Sequence, residues 1–316
     1  MKPLLTALLS VVLASSTVTV AQAAAPQQKT QAPGYYRLML GDFEVTALSD
    51  GTVELPVDKL LAAPAAATNA TLQHSFLRSP LETSVNGYLI NTGTKLVLID
   101  TGAGVMFGPT LGRLLSNLKA AGYTPEQVDE IYITHFHGDH MGGLLEKGLA
   151  SYPNAVVRMA RAEADYYLSK AKMAAAPEAA RGAFAGAMKA TQPYADSGRI
   201  KPIDGDAELV PGIRSVLTSG HTPGHTIYQV ESKGQRLIVW GDLMHVAAVQ
   251  FPDPTVTISF DTDSKVMLPQ RLKIFAEAAA SGALVAGAHL SFPGLGHLRA
   301  EGKGYQFVPV NYASRP

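Results

Sequence analysis

Four residues able to ligate a first-row metal fall within the run His135-Phe136-His137-Gly138-Asp139-His140. Imidazole and carboxylate together suit Zn²⁺ and its neighbours. The preceding segment, Val128-Asp129-Glu130-Ile131-Tyr132-Ile133, reads as a short β-branched strand, so the donors sit on the loop that leaves its end. On a helix His135 and His137 would face apart, and on a continuing strand His140 would point away from both. A tight turn is needed to converge all of them, and Gly138 permits one. The competing reading is a solvated, histidine-rich loop that binds nothing.

A metal site needs further donors placed in the same way, and three downstream strands end in one. Residues 213–218 run into the turn Gly220-His221-Thr222-Pro223-Gly224-His225, residues 236–240 into Gly241-Asp242, and residues 283–288 into His289. Open α/β sheets place their sites beyond strand ends in this manner. His225 reads as support for the turn that carries His221. His245, three residues past Asp242 on the same loop, is placed to face a substrate, with a packed core histidine as the alternative. Asp100-Thr101-Gly102 has the form of an aspartic-protease turn, but no second copy exists to make the carboxylate pair. Asp100 is therefore expected behind the donors, holding a ligand histidine or its loop. His74 and His297 read as structural or exposed.

Together these residues resemble the metallo-β-lactamase fold superfamily, whose signature is H-x-H-x-D-H, then a His in a G-H-T-P-G-H turn, then Asp, then His. The resemblance implies an α/β fold, a four-layer αβ/βα sandwich with two divalent metals at one edge. His135, His137 and His221 would hold the first, Asp139, His140 and His289 the second, and Asp242 would bridge, with activated water as nucleophile. Zinc is the expected metal, with Mn²⁺, Co²⁺ and Fe²⁺ also suited to such donors. Redox relatives with a diiron site are disfavoured, because they carry Glu where His137 stands.

The resemblance extends to the secreted methyl parathion hydrolase branch through Tyr35-Tyr36-Arg37, Gly41-Asp42-Phe43, residues 47–52, residues 80–84, Leu290-Ser291-Phe292-Pro293-Gly294 and residues 302–312. The chain departs from the phosphotriesterase members of that branch at several points. His245 replaces an aliphatic residue, Ile258 and Phe260 are bulkier, Leu60 replaces a basic residue, and the cap is one residue shorter. A flat aryl lactone suits such a pocket better than a tetrahedral phosphotriester. Phe107, Tyr167 and Phe184 are candidate aromatic walls for a leaving phenol, and each is equally suited to a core. The expected activity is a binuclear hydrolase opening dihydrocoumarin-like lactones or aryl esters, with Asp139, Asp242 and His245 in the chemistry and His245 as a possible acid. The alternatives are a phosphotriesterase acting on organophosphates, an N-acyl homoserine lactonase needing an apolar channel, and a non-catalytic metal-binding protein. The family also suggests a homodimer.

The elements that must position these residues follow from composition and pattern. The chain has 316 residues, 47% hydrophobic and 16% charged, enough for one large core or two small ones, a single domain being the simpler choice. With 26 basic and 26 acidic residues, no net field draws it to nucleic acid or membrane, and a small neutral substrate suits it better. Without cysteine, nitrogen and oxygen are the available metal donors. Residues 1–23 combine a basic start, an apolar run and Ala21-Gln22-Ala23 into a signal peptide, implying a secreted or periplasmic protein. Residues 24–34 read as a flexible arm and 35–316 as a single domain. Short strands dominate from 37 to 100, and Thr110 to Ala121 carries Leu111, Leu114, Leu115 and Leu118 at helical spacing. An alanine-rich stretch at about 161–190 reads as a two-helix cap, and Pro269 to Ala280 as the last helix.

Overall fold

The computed structural model describes residues 25–314, and in it the apolar strands feed two cores at once. Residues 1–23, expected as a signal peptide, lie outside the described residues, and residues 25–34 carry no helix or strand. From Pro33 onward the chain forms one compact unit.

The first sheet contains β1 (Tyr35–Leu40), β2 (Phe43–Leu55), β3 (Leu81–Asn91), β4 (Leu96–Ile99) and β5 (Glu130–Tyr132). A small hairpin of β6 (Leu145–Glu146) and β7 (Leu149–Ala150) stands apart, and β8 (Val156–Arg158) closes the first sheet beside β5. The second sheet holds β9 (Ala207–Val210), β10 (Ile213–Leu217), β11 (Thr226–Ser232), β12 (Gln235–Val239), β13 (Leu284–Ala286), β14 (Leu295–Glu301) and β15 (Gly304–Pro309) in sequential order. Neighbours there are antiparallel except β12 and β13. The helices are α1 (Val57–Leu60), α2 (Ala65–His74), α3 (Leu114–Ala120), α4 (Gly138–Met141), α5 (Arg161–Tyr167), α6 (Lys170–Ala175), α7 (Glu178–Asp196), α8 (Ala247–Gln250) and α9 (Ser264–Ser281).

Side chains alternate along a strand, so a strand covered on both faces is apolar throughout. In β4, Val97 and Ile99 enter the core between the sheets, while Leu96 and Leu98 pack outward with Leu114 and Leu118 of α3 and Phe184 and Ala187 of α7. In β12, Leu237 and Val239 face the first sheet, while Ile238 meets Ile274, Phe275 and Ala278 of α9. These layers make the αβ/βα sandwich, and each fully buried Leu, Ile, Val or Phe contributes about 1.5–3 kcal/mol.

Three helix expectations change. The helix expected from Thr110 begins at Leu114. Gly112 is left-handed at φ +83°, and the buried Asp50 carboxylate accepts from Ala103 N, Gly112 N and Leu114 N. That carboxylate fixes the helix start, and Leu111 is left to line a cavity. The cap holds three helices rather than two, because Ser169 caps α6 and Pro177 stands at the N-cap of α7, which runs on to Asp196. The last helix starts at Ser264, five residues before Pro269, because the Asp263 side chain accepts from Lys265 N and Val266 N.

Candidate metal centre

β5 delivers the first donors. Thr134 donates its N–H and its hydroxyl to the two oxygens of Asp100, each at 2.8 Å, and His140 Nδ1–H donates to Asp100 Oδ2 at 2.8 Å. His135 Nδ1–H reaches Thr134 Oγ1 at 3.0 Å. His137 is the N-cap of the single-turn α4, which carries Asp139 and His140. Gly138 does not have a positive φ, and a Cβ there would lie 2.9 Å from the half-exposed Phe107 ring, which would have to move aside.

The second sheet delivers the others. His221 Nδ1–H donates to Asp261 Oδ1 at 2.9 Å, and His289 Nδ1–H to the carbonyl of Ser84 at 3.0 Å. His225 Nδ1–H donates to Thr218 Oγ1 at 2.8 Å, while its Nε2 accepts from Asp242 N at 3.0 Å. Burial pushes the His225 pKa down to about 3, with the neighbouring His221 adding to the effect, so the ring is neutral and that lone pair is free to accept. Gly241, at φ +53°, lets the chain pass, because a Cβ would stand 2.7 Å from His225 Nε2.

All of these groups converge on Asp242. Its Oδ2 lies 3.4 Å from His135 Nε2 and 3.2 Å from His221 Nε2, and its Oδ1 lies 3.2 Å from both His140 Nε2 and His289 Nε2. Asp139 Oδ2 is 3.7 Å from His140 Nε2 and 3.6 Å from His289 Nε2. His135, His137, His221 and Asp242 form one group with ligand atoms within 4.8 Å of one another, and Asp139, His140 and His289 form a second.

The donor set fits metal ions. Outer nitrogens that donate outward leave inner nitrogens with lone pairs, the tautomer being assigned from these partners. His221 Nε2 and His137 Nδ1 face each other at 3.0 Å, and His135 Nε2, His140 Nε2 and Asp242 Oδ1 are buried without a hydrogen-bond partner. Lone pairs aimed at one another repel unless a cation lies between them. Without metal, protons supply that positive charge. Burial opposes charge on His140 and His221, yet the carboxylates around them raise His140 well above its ordinary value and His221 to about 9. Asp242 is held well below the usual carboxylate range, because the imidazoles around it outweigh the cost of burial. Burial pushes His137 down to about 3.

Two buried carboxylates behind the site were missed in the sequence. Asp261 orients His221 and lies one residue past Phe260, in a loop expected to contribute only pocket walls. Glu163 accepts from Phe136 N at 2.7 Å and from Thr222 Oγ1 and Gly224 N at 2.8 Å each. It thereby ties the His135–His137 loop to the His221 turn. Burial pushes Glu163 up to about 7 against the pull of these donors. Its position in an alanine-rich stretch gave no chemical signal.

A cavity of about 600 Å³ opens on the cluster, with His137, Asp139, Asp242, His245 and His289 at its floor. Leu55, Met106, Phe107, Leu111, Met141 and Phe260 form apolar walls, and α7 presents Gly182, Ala183 and Gly186. Of the expected pocket residues, Phe107, His245 and Phe260 line it, whereas Tyr167, Phe184, Leu60 and Ile258 do not. Tyr167 and Phe184 are buried, their rings 5.1 Å apart, on the core side of α5 and α7. Ile258 is buried with Val57, Leu61 and Val246, and Leu60 packs against that cluster. Burial pushes the His245 pKa down to about 4 against the pull of Asp242. Its ring is neutral at pH 7, which counts against its expected part as an acid. His74 and His297 are exposed.

The profile of the Metallo-beta-lactamase superfamily matches residues 81–289. An N-acyl homoserine lactonase of a Bacillus sp is 26% identical over 244 residues, covering 69% of this chain and 88% of that protein. The match to the N-acyl homoserine lactonase of Bacillus cereus, 28% identical, covers 51% of this chain and just over half, 56%, of that protein. Among solved structures, hydrolase AbOPH in the beta lactamase superfamily superposes with a TM-score of 0.86 at 38% identity, covering 90% of this chain and all of that one. AidC, a dizinc quorum-quenching lactonase in complex with a product, superposes with a TM-score of 0.82 at 27% identity, covering 89% of this chain and 99% of that one.

Proposed function

The chain belongs to the metallo-beta-lactamase superfamily, and from that membership we propose a metal-dependent hydrolase that opens lactones with an apolar body, dihydrocoumarin being the type case. The observation that carries this reading is the apolar cavity whose floor is the His/Asp cluster. His135, His137 and His221 would hold one divalent metal and Asp139, His140 and His289 a second, with one oxygen of Asp242 turned to each group. Divalent metals at such a site supply Lewis acidity and lower the pKa of bound water from about 15.7 toward 7.

The chain's own groups supply the rest. Asp139, its side chain 20% exposed at the cavity floor, is placed to take the proton released as water attacks and to return it to the ring oxygen that leaves. A phenol, with a pKa of about 10, needs little such help. The walls around Met106, Phe107 and Phe260 exclude water and take the apolar body of the substrate.

A second reading, an N-acyl homoserine lactonase, draws on the volume of the same cavity and on its wall of small residues along α7, which leaves room for an acyl chain. Relatives of that activity support it. A phosphotriester fits less well, because His245 and Phe260, with rings 5.5 Å apart, crowd the space where three splayed substituents would go. Shape differences of this kind are worth about 1–3 kcal/mol, so slow organophosphate hydrolysis is expected alongside. The test is a kinetic panel of dihydrocoumarin, an aryl acetate, an N-acyl homoserine lactone and methyl parathion. The highest kcat/KM should fall on a lactone, and a maximum on the phosphotriester overturns the proposal.

A further inference from the structure

We infer that His245 is itself a metal donor, adding a nitrogen beside Asp242 and His289. The inference rests on the two-metal reading above and goes beyond it. His245 Nε2 lies 3.1 Å from Asp242 Oδ2, as near to that carboxylate as the inner nitrogens of His135, His140, His221 and His289. Asp242, His245 and His289 form a third group whose ligand atoms lie within 4.8 Å of one another. The His245 ring stacks on that of His289 at 4.8 Å and 16°, so two nearly parallel imidazoles address the same carboxylate.

The backbone beneath His245 is held where such a donor requires it. His245 N and Val246 N both donate to Gln250 Oε1, at 2.8 and 2.9 Å, and Gln250 Nε2 donates to the carbonyl of Val256 at 2.9 Å. Arg271 Nη1 donates to the same carbonyl and Arg271 Nε to that of Leu243, and both Gln250 and Arg271 are fully buried. A buried guanidinium and a buried amide committed to backbone carbonyls and amides over-determine this loop.

His245 differs from His140, His221 and His289 in one respect. The outer nitrogens of His140, His221 and His289 are braced by Asp100, Asp261 and the Ser84 carbonyl, whereas His245 Nδ1 is buried with no partner among the described residues. An unbraced imidazole is the less basic ligand. His245 is therefore a weaker nitrogen donor than His289 beside it, and its removal should loosen one metal and not both.

The test uses the full chain loaded with zinc. In its crystal structure His245 Nε2 should lie about 2.0–2.2 Å from a metal, and a separation of hydrogen-bond length or more overturns the inference. In solution, chelator competition on wild type, His245→Ala and His245→Asn should show the weaker-held metal losing about tenfold or more in affinity, with the tighter one unchanged. Equal affinities for both metals in all three proteins overturn the inference and leave the two-metal reading standing. A wild type that takes up fewer than two equivalents overturns both. If neither variant folds, the wild-type crystal structure decides alone.

Discussion

Asp261 and Glu163 show what single side chains behind a metal site contribute, and each can be tested by a near-isosteric change. Asp261→Asn keeps an oxygen able to accept His221 Nδ1–H but removes the charge that makes the imidazole a better donor. Affinity for the metal held by His221 should fall about 10- to 100-fold in chelator competition. An unchanged value would confine Asp261 to packing the loop. Glu163 receives only donors, on both oxygens. Glu163→Gln sets an NH₂ against either Phe136 N–H or Gly224 N–H, whichever way the amide turns. Leaving such a buried donor unpaired costs about 1–3 kcal/mol, so urea unfolding should show that loss, and wild-type stability in the variant would mean that the three hydrogen bonds are dispensable.

At the scale of elements, the sequence is most readable where the determinants are local. The alternation of Leu96, Val97, Leu98 and Ile99 needs only period two to declare a strand buried on both faces, and donors just past β5, β10, β12 and β13 follow from the same pattern. The start of α3 was not legible, because the group that fixes it is Asp50, distant in the chain. The face of α7 was not legible either. Large and small residues recur around it, and only packing decides that Phe184 turns into the core while Gly182, Ala183 and Gly186 face the cavity. This arrangement predicts opposite results for two substitutions at one site. A Cβ on Gly186 would meet nothing nearer than 3.7 Å, at Met106 and Met141, so Gly186→Ala should stabilise the chain by about 0.4–1 kcal/mol. Gly186→Leu fills the cavity instead. It should lower kcat/KM for a long-chain acyl lactone far more than for an aryl acetate, and equal losses on the two would mean that the substrate body does not run along α7.

For the whole molecule, the site is also the seam between the sheets. Thr226 N donates to Thr134 O at 2.9 Å, Tyr228 OH to Ile133 O at 2.9 Å, and Asn86 N to Ala288 O at 2.9 Å, so loops that carry donors from both sheets are already joined. Metal bound across that seam stabilises the fold through its affinity, by about 2.7 kcal/mol at a free concentration one hundred times Kd. The size of the effect should depend on pH in a direction the titrating groups fix. In the metal-free chain His221 has its pKa raised to about 9, and those of His140 and His289 are also raised. A histidine raised above its unfolded value of about 6.5 lends stability that is full below that pH and is lost as pH climbs through the folded pKa. The same protons must leave before metal enters, so binding strengthens over that range while the metal-free fold loses their help. The gap in melting temperature between zinc-loaded and chelator-treated protein should therefore widen from pH 6.5 to pH 9. Scanning calorimetry at pH 6.5, 7.5 and 9 measures it directly, and a gap that stays constant would show that these imidazoles do not exchange protons for metal.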